Sequence, residues 1–379
     1  MLLRHAVQEI IKMIINSRLS ALALALALSA LASLACAEGG AVGSVLSSSA
    51  MQIATPAHAV LIDLARAGDR LIAVGERGVI VLSDDNGQSW RQVQVPVSVS
   101  LVAVQFIDDE HGWAVGHGGT VLATADGGER WSLQLTGIQA AEIELKAAQD
   151  IKANAVDADA ADMRISNAER LVADGPDKPF LALHFLDANH GLVAGSYGMV
   201  FSTQDGGATW QSLIGSIENP SLVHIYAIAR KDHLWFLAGE QGYVARSTDD
   251  GKSFTHLPSP YNGSFFTANI RGDGALLIAG LKGHAYLSSD DGASFNQLKV
   301  SRPSSISSSA RLPDGSVLLA NQTGDLFSSS ASNGLALNPV GNPLGIPVSS
   351  IVEAVDGSLI TSGFTGLSRF SHPATEVSE

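Results

Sequence analysis

A short glycine signature recurs along this chain at a nearly constant interval, and that interval limits the fold more than any other feature. It reads Gly75-Glu76-Arg77-Gly78, Gly116-His117-Gly118-Gly119, Gly195-Ser196-Tyr197-Gly198, Gly239-Glu240-Gln241-Gly242 and Gly280-Leu281-Lys282-Gly283. Two looser copies follow, Asn321-Gln322-Thr323-Gly324 and Gly363-Phe364-Thr365-Gly366. The leading positions are 41, 79, 44, 41, 41 and 42 residues apart, and the 79 holds one repeat plus an insertion of about 38 residues. A period near forty residues marks a unit that cannot bury its apolar faces alone and must stack on copies of itself.

Each of the first five copies is followed by an acidic turn ending in an aromatic residue. In the first three these are Ser83-Asp84-Asp85-Asn86-Gly87-Gln88-Ser89-Trp90, Thr124-Ala125-Asp126-Gly127-Gly128-Glu129-Arg130-Trp131 and Thr203-Gln204-Asp205-Gly206-Gly207-Ala208-Thr209-Trp210. The next two read Thr248-Asp249-Asp250-Gly251-Lys252-Ser253-Phe254 and Ser289-Asp290-Asp291-Gly292-Ala293-Ser294-Phe295. Asp85, Asp126, Asp205, Asp250 and Asp291 are the expected structural carboxylates, accepting backbone N–H groups inside the turn. Trp90, Trp131 and Trp210 are expected to wedge against the neighbouring unit.

Each repeat holds four short apolar runs separated by turn residues, such as Leu101–Phe106, Trp113–Val115, Val121–Ala123 and Trp131–Leu135. Four strands in about forty residues is a propeller blade. Seven signatures predict an all-β, seven-bladed β-propeller over residues 57–371, with a helical insertion between blades two and three. The acidic turns resemble the Asp box of the bacterial-neuraminidase-type repeat. With the preceding glycine signatures, they resemble the photosystem II stability and assembly factor-like family. That resemblance covers nearly the whole chain after its leader and implies the same fold.

The insertion, residues 138–179, carries apolar residues at three- and four-residue steps: Ala141, Leu145, Ala148 and Ala155, then Ala161, Ile165, Ala168 and Val172. This predicts one amphipathic helix, or two broken near Val156–Ala160, stopped by Asp174-Gly175-Pro176. The last repeat lacks a good fourth strand, because residues 372–379 form a polar, Pro-broken tail. Residues 38–56 are therefore expected to supply a leader and, near Met51–Thr55, the closing outer strand of blade seven.

Residues 1–37 read as a signal peptide. Arg4, Lys12 and Arg18 precede an uncharged Ala/Leu run from Leu19 to Leu34, and Ala35-Cys36-Ala37 fits a cleavage site. An exported, periplasmic protein is expected. Cleavage would remove Cys36, the sole cysteine, and shift the formal charge from −14 to −16, since the segment carries three basic residues and one acid. So acidic a chain does not suit nucleic acid or an anionic lipid surface.

No catalytic, metal or cofactor set is legible. The paired acids repeat inside turns rather than facing a cleft. There is no His-Glu-x-x-His, phosphate loop or nucleophile elbow. Arg77, Arg230, Arg246, Arg271, Arg302, Arg311 and Arg369 show no shared repeat position that would gather them around a carboxylate. The expectation is a monomeric, non-catalytic binding protein, since binding on propellers resides in loops on a rigid frame. The resemblance suggests an assembly factor for a membrane or envelope complex such as a transporter. The alternative is a sialidase-like glycan binder or glycosidase. Blade topology puts the glycine tips and the insertion on one face, so Glu76, Arg77, His117, Ser196, Tyr197, Glu240, Gln241, Leu281, Lys282 and Phe364 are the candidate partner-binding residues.

Overall fold

The computed structural model describes residues 44–152 and 157–371. The chain divides into two compact units, Met1–Ser44 and Val45–Glu379, and every described strand and helix belongs to the second. The proposed signal peptide and the tail after Ser371 lie outside the described residues.

Seven antiparallel sheets follow one another, six of four strands and one of three, each in simple sequence order. The first strand of every sheet touches the first strand of the next, from Leu61–Ala67 in blade one round to Ser350–Glu353 in blade seven and back. The ring is thus closed. Its core is divided into seven apolar clusters, one per interface between blades. Leu192 of blade three meets Trp235 and Leu237 of blade four in one of them. The aromatic residues ending the acidic turns do wedge between blades. Trp131 packs in the cluster shared by blades one and two, and its indole N–H donates to the Gly128 carbonyl at 2.9 Å.

The sequence expectation for ring closure fails. Met51–Thr55 forms no strand of blade seven, which keeps three strands among the described residues. The segment runs instead along the outer edge of blade one. Ala50 N–H donates to Val95 O at 3.0 Å, and Ile53 N–H to the Gln92 side chain at 3.0 Å. Gln92 returns a bond to Met51 O at 3.0 Å. Pro56 then opens a 3-10 turn, which ends the extended run, so that this segment meets blade seven through one backbone bond, from the Leu367 N–H to Ala57 O, and not as a paired strand. The seam is closed by side chains, with Leu64, Leu71 and Val81 of blade one packed on Ala354 and Ile360, and by backbone hydrogen bonds, the Leu61 N–H donating to Gly363 O at 3.3 Å and the Leu367 N–H to Ala57 O at 2.8 Å.

Asp63 fastens the same seam from the channel side. Its carboxylate accepts the Val104 N–H of blade two at 2.8 Å and is bonded by Ser350 of blade seven. Burial pushes its carboxyl above the ordinary range, outweighing those hydrogen bonds. A raised folded-state pKa means the ionised form is the disfavoured one. The associated stability is complete below about pH 3.8 and is lost as pH rises through the higher folded value. Asp63→Asn keeps the acceptor and removes the charge. It should resist urea better than the parent at neutral pH, and the advantage should vanish on acidification. Asp63→Ala, which leaves the Val104 N–H unpaired, should be weaker than both.

The acidic turns show the chemistry expected of them, with one shift of register. In blade one, Ser83 Oγ donates to Asp85 at 2.8 Å, and Asp85 also accepts the Ser89 N–H at 2.9 Å and the Ser89 hydroxyl at 2.5 Å. Asp126 and Asp205 hold the same place. In blades four and five the carboxylates are Asp249 and Asp290, not the expected Asp250 and Asp291. The turn begins one residue earlier, at Ser247 and Ser288, whose hydroxyls donate to Asp249 and Asp290 at 2.6 and 2.8 Å. Asp250 and Asp291 occupy the following left-handed position at φ 60° and 56°, where Asn86, Gly127 and Gly206 stand in other blades. Asp291 serves a different purpose, accepting Lys231 Nζ of blade four at 2.7 Å.

Asp249→Ala should cost about 1–3 kcal/mol in equilibrium unfolding by orphaning the turn donors, while Asp250→Asn should be nearly silent. The Ser89 and Ser294 hydroxyls and backbone N–H groups hold Asp85 and Asp290 at about 2. Depressed values stabilise the fold above about pH 3.8 and lose that contribution as pH falls toward 2, so the urea midpoint should fall with acidification across that window.

Candidate functional site

The glycine tips are built by one repeated device. The leading glycine sits where a Cβ would fall on a backbone carbonyl just before the inner strand, Val60 O in blade one and His224 O in blade four. The next N–H donates to that carbonyl, Glu76 to Val60 O at 3.1 Å and Glu240 to His224 O at 2.8 Å. The third residue is left-handed: Arg77, Tyr197, Gln241 and Lys282 lie at φ 54–57°. That conformation, unfavourable for a side-chain-bearing residue, thrusts all four outward.

The tips and the insertion do share one face. The insertion forms helix α1, Gly137–Lys152, and helix α2, Ala158–Asp174. Asp157 caps α2 by accepting the Ala160 N–H at 3.0 Å, and Gly175 at φ 77° ends it. The α1 start abuts the blade-two tip, leaving no room for a Cβ on Gly119. Ile143 and Leu171 pack onto the core between blades two and three. The face of α1 turned inward is Ala140, Ala141, Glu144 and Ala148, all buried. Apolar periodicity passes over Glu144, yet it is the anchor. Arg164 of α2 grips both its oxygens, at 2.8 and 3.0 Å, and the Ser212 hydroxyl of blade three donates to it as well.

Between α2 and the tips of blades three and four lies an open groove of about 1240 Å³. Met163 and Tyr197 line it at 68% and 51% exposure, so apolar surface stands free on both walls. Lys178 Nζ lies 5.1 Å from the Tyr197 ring centre. From Tyr197 a chain of ring contacts runs inward through His224 and Tyr226 to Phe266. Tyr226 and Phe266 are the extra residues of β-bulges in the inner strands of blades four and five, where bulges re-aim side chains. Ile62, Val102 and Leu181 hold the equivalent places, each partly exposed, giving the same face an apolar inner ring.

Of the candidate partner residues, Glu76, Arg77, His117, Gln241, Lys282 and Phe364 are exposed, and Glu240 and Leu281 are half-buried. Only Tyr197, Glu240 and Gln241 line the groove. Ser196 does not belong with them: it is 2% exposed and its hydroxyl donates to Pro179 O at 3.2 Å.

The arginines also depart from expectation. Arg66, Arg230 and Arg311 do share a position, the fourth regular pair of the inner strand, opposite Leu71, Trp235 and Val317. Glu353 fills that position in blade seven, and Arg66 donates to its carbonyl at 3.3 Å. These residues lie at the far end of the inner strands, toward the acidic turns. Burial, with the Arg230 charge adding to it, lowers the neighbouring His184 to about 4. Among the described residues, no group of three or more His, Cys, Asp or Glu converges as a metal site.

Comparison with known proteins agrees with this architecture. The family described as photosynthesis system II assembly factor YCF48 matches residues 82–166 and 166–335. Photosystem II assembly protein Ycf48 of Thermosynechococcus vestitus is 40% identical over 42 residues, 11% of this chain and 12% of that protein. The chloroplastic photosystem II stability/assembly factor HCF136 of Guillardia theta is 48% identical over 48 residues, 12% of each chain. The aligned stretches thus span about an eighth of these relatives. A solved structure titled YCF48 bound to D1 peptide superposes with TM-score 0.59 at 18% identity, covering 85% of this chain and 98% of that one. The WD40 β-propeller domain of Doa1 gives TM-score 0.58 at 13% identity, over 87% and 98% of the chains, so these likenesses speak to fold alone. Seven blades, their glycine tips and a match running through most of the ring converge on one assignment: the chain belongs to the YCF48 family of photosystem II assembly factors.

Proposed function

We propose that this chain is an exported, non-catalytic binding and assembly protein that holds an extended segment of a membrane-protein partner on its helix-bearing face. The observation that carries the reading is the groove between α2 and the tips of blades three and four, with Met163 and Tyr197 exposed on opposing walls. An open cleft of this size, with apolar anchors and a polar rim, suits a peptide rather than a reacting small molecule. A family relative solved with a D1 peptide supports peptide binding as the mode. The apolar Ala/Leu run after Arg4, Lys12 and Arg18 supports export, and a bacterial envelope complex such as a transporter is the partner class we favour.

The test places a photo-crosslinking residue at 163 or 197 on the groove, and at Asp109, which is exposed beside the blade-two acidic turn on the opposite face, in envelope preparations. Adducts to a membrane protein from 163 and 197 support the reading. Adducts confined to 109 would reverse the assignment of the face. Mass spectrometry of the mature protein checks export, with Glu38 the expected first residue.

A second reading, an acidic-glycan binder, has one observation in its favour: Arg66 and Arg311 flank Glu353 in consecutive blades at the channel end. Calorimetry with N-acetylneuraminate decides it. Heat of binding lost in Arg311→Ala would establish that site, and its absence in the parent would remove the reading.

A further inference from the structure

We infer that the groove beside α2 selects a basic segment, one whose lysines or arginines flank an apolar side chain. This rests on the proposal that the groove is the peptide site and adds which peptide it takes.

Charge accounting carries the inference. Arg164 is fully engaged by Glu144, and Lys178 by Asp174 at 3.1 Å and Asp177 at 2.5 Å. Of the remaining charges lining the groove, Asp157, Glu218 and Glu240 have no lysine or arginine partner among the described ion pairs, and only Arg170 opposes them. Backbone N–H groups and the His224 ring, 3.3 Å from Glu240, give these carboxylates polar neighbours, but three carboxylates against one guanidinium still leave the groove net negative. The helices reinforce it, since α1 and α2 together carry seven acids and four bases.

The apolar component is equally specific. Met163 is an unbranched, polarisable side chain that adapts to varied neighbours, and Tyr197 already holds one ammonium group, that of Lys178, against its ring. A flanking lysine on the partner would meet the carboxylates of Glu218 and Glu240 while its apolar neighbour seats between Met163 and Tyr197. Carboxylates in the rim would also repel an acidic segment, so selection acts in both directions.

The probe is a short blocked peptide with lysines among leucine, phenylalanine and serine, and its twin with glutamate at every lysine. Fluorescence anisotropy on the full mature chain should show the lysine peptide bound and weakening with salt. Glu218→Gln with Glu240→Gln keeps the acceptor oxygens and should weaken it about fivefold. Met163→Ser should weaken it by a similar factor without altering the salt slope. Crosslinking from 163 to the lysine peptide localises it. If the glutamate twin crosslinks at 163 as well or better, the charge inference is overturned while the groove remains a peptide site. If neither peptide reaches 163 and envelope adducts arise elsewhere, the inference falls together with the proposed site.

Discussion

Glu144→Ala should release the helical hairpin from the ring without unfolding the ring. Glu144 is 2% exposed, and its two oxygens hold Arg164 of α2 and the Ser212 hydroxyl of blade three. One carboxylate therefore joins helix to helix and both to the propeller. Removing it strands a largely buried guanidinium, which costs roughly 3 kcal/mol. The loss should appear locally. Hydrogen exchange across α1 and α2 should accelerate strongly, while amides of the inner strands stay protected. The peptide binding proposed for the groove should weaken too, because α2 forms one of its walls. Glu144→Ala with Arg164→Ala removes the stranded charge and should recover part of the protection. If exchange in α2 is unchanged by the single variant, the anchor has been misidentified.

Gly242→Ala should be among the most damaging single changes in the chain, and its neighbour Gln241→Gly among the mildest. Gly242 lies at φ 80°, and a Cβ there would fall on the Tyr261 carbonyl oxygen. Two separate penalties coincide, left-handed backbone and overlap with a backbone atom that cannot swing aside. Together they are expected to cost roughly 3–4 kcal/mol in denaturant unfolding. Gln241 is left-handed as well, at φ 55°, but its side chain points to solvent. Glycine there relieves strain and loses chain stiffness in comparable amounts, so little change is expected. Equal effects at the two positions would show that the tip is less constrained than its geometry implies.

These two residues also show what the sequence made legible. The second glycine of each tip recurs in all seven repeats because sterics demand it, and recurrence is readable without coordinates. Fold and blade number follow from it, and the helices of the insertion from the three- and four-residue apolar steps within residues 138–179. Glu144 was illegible because its partners, Arg164 and Ser212, lie 20 and 68 residues away and belong to no repeat. Asp249 and Asp250 are not separable by the repeat pattern, because two adjacent carboxylates fit it, and only the serine ending the preceding strand distinguishes them. The shared arginine position does carry a usable signal in the sequence. Ala65-Arg66, Ala229-Arg230 and Ala310-Arg311 each precede a tip by nine or ten residues. Blade topology places Tyr197, Glu240 and Gln241 on the face of the insertion, but the groove itself is not legible in the sequence, since its walls come from an insertion and two blades that meet only in space.

The joint between the first and last blades is the one place where neighbouring blades have no peptide link between them. Every other junction is continuous chain, whereas this one depends on packed Leu64, Leu71 and Ile360, on Asp63, and on the backbone bonds from Leu61 to Gly363 and from Leu367 to Ala57. The molecule is in this respect a split washer. Force, heat or a rearranged chain order should part it there first, and a bond engineered across the gap should stiffen the whole circle.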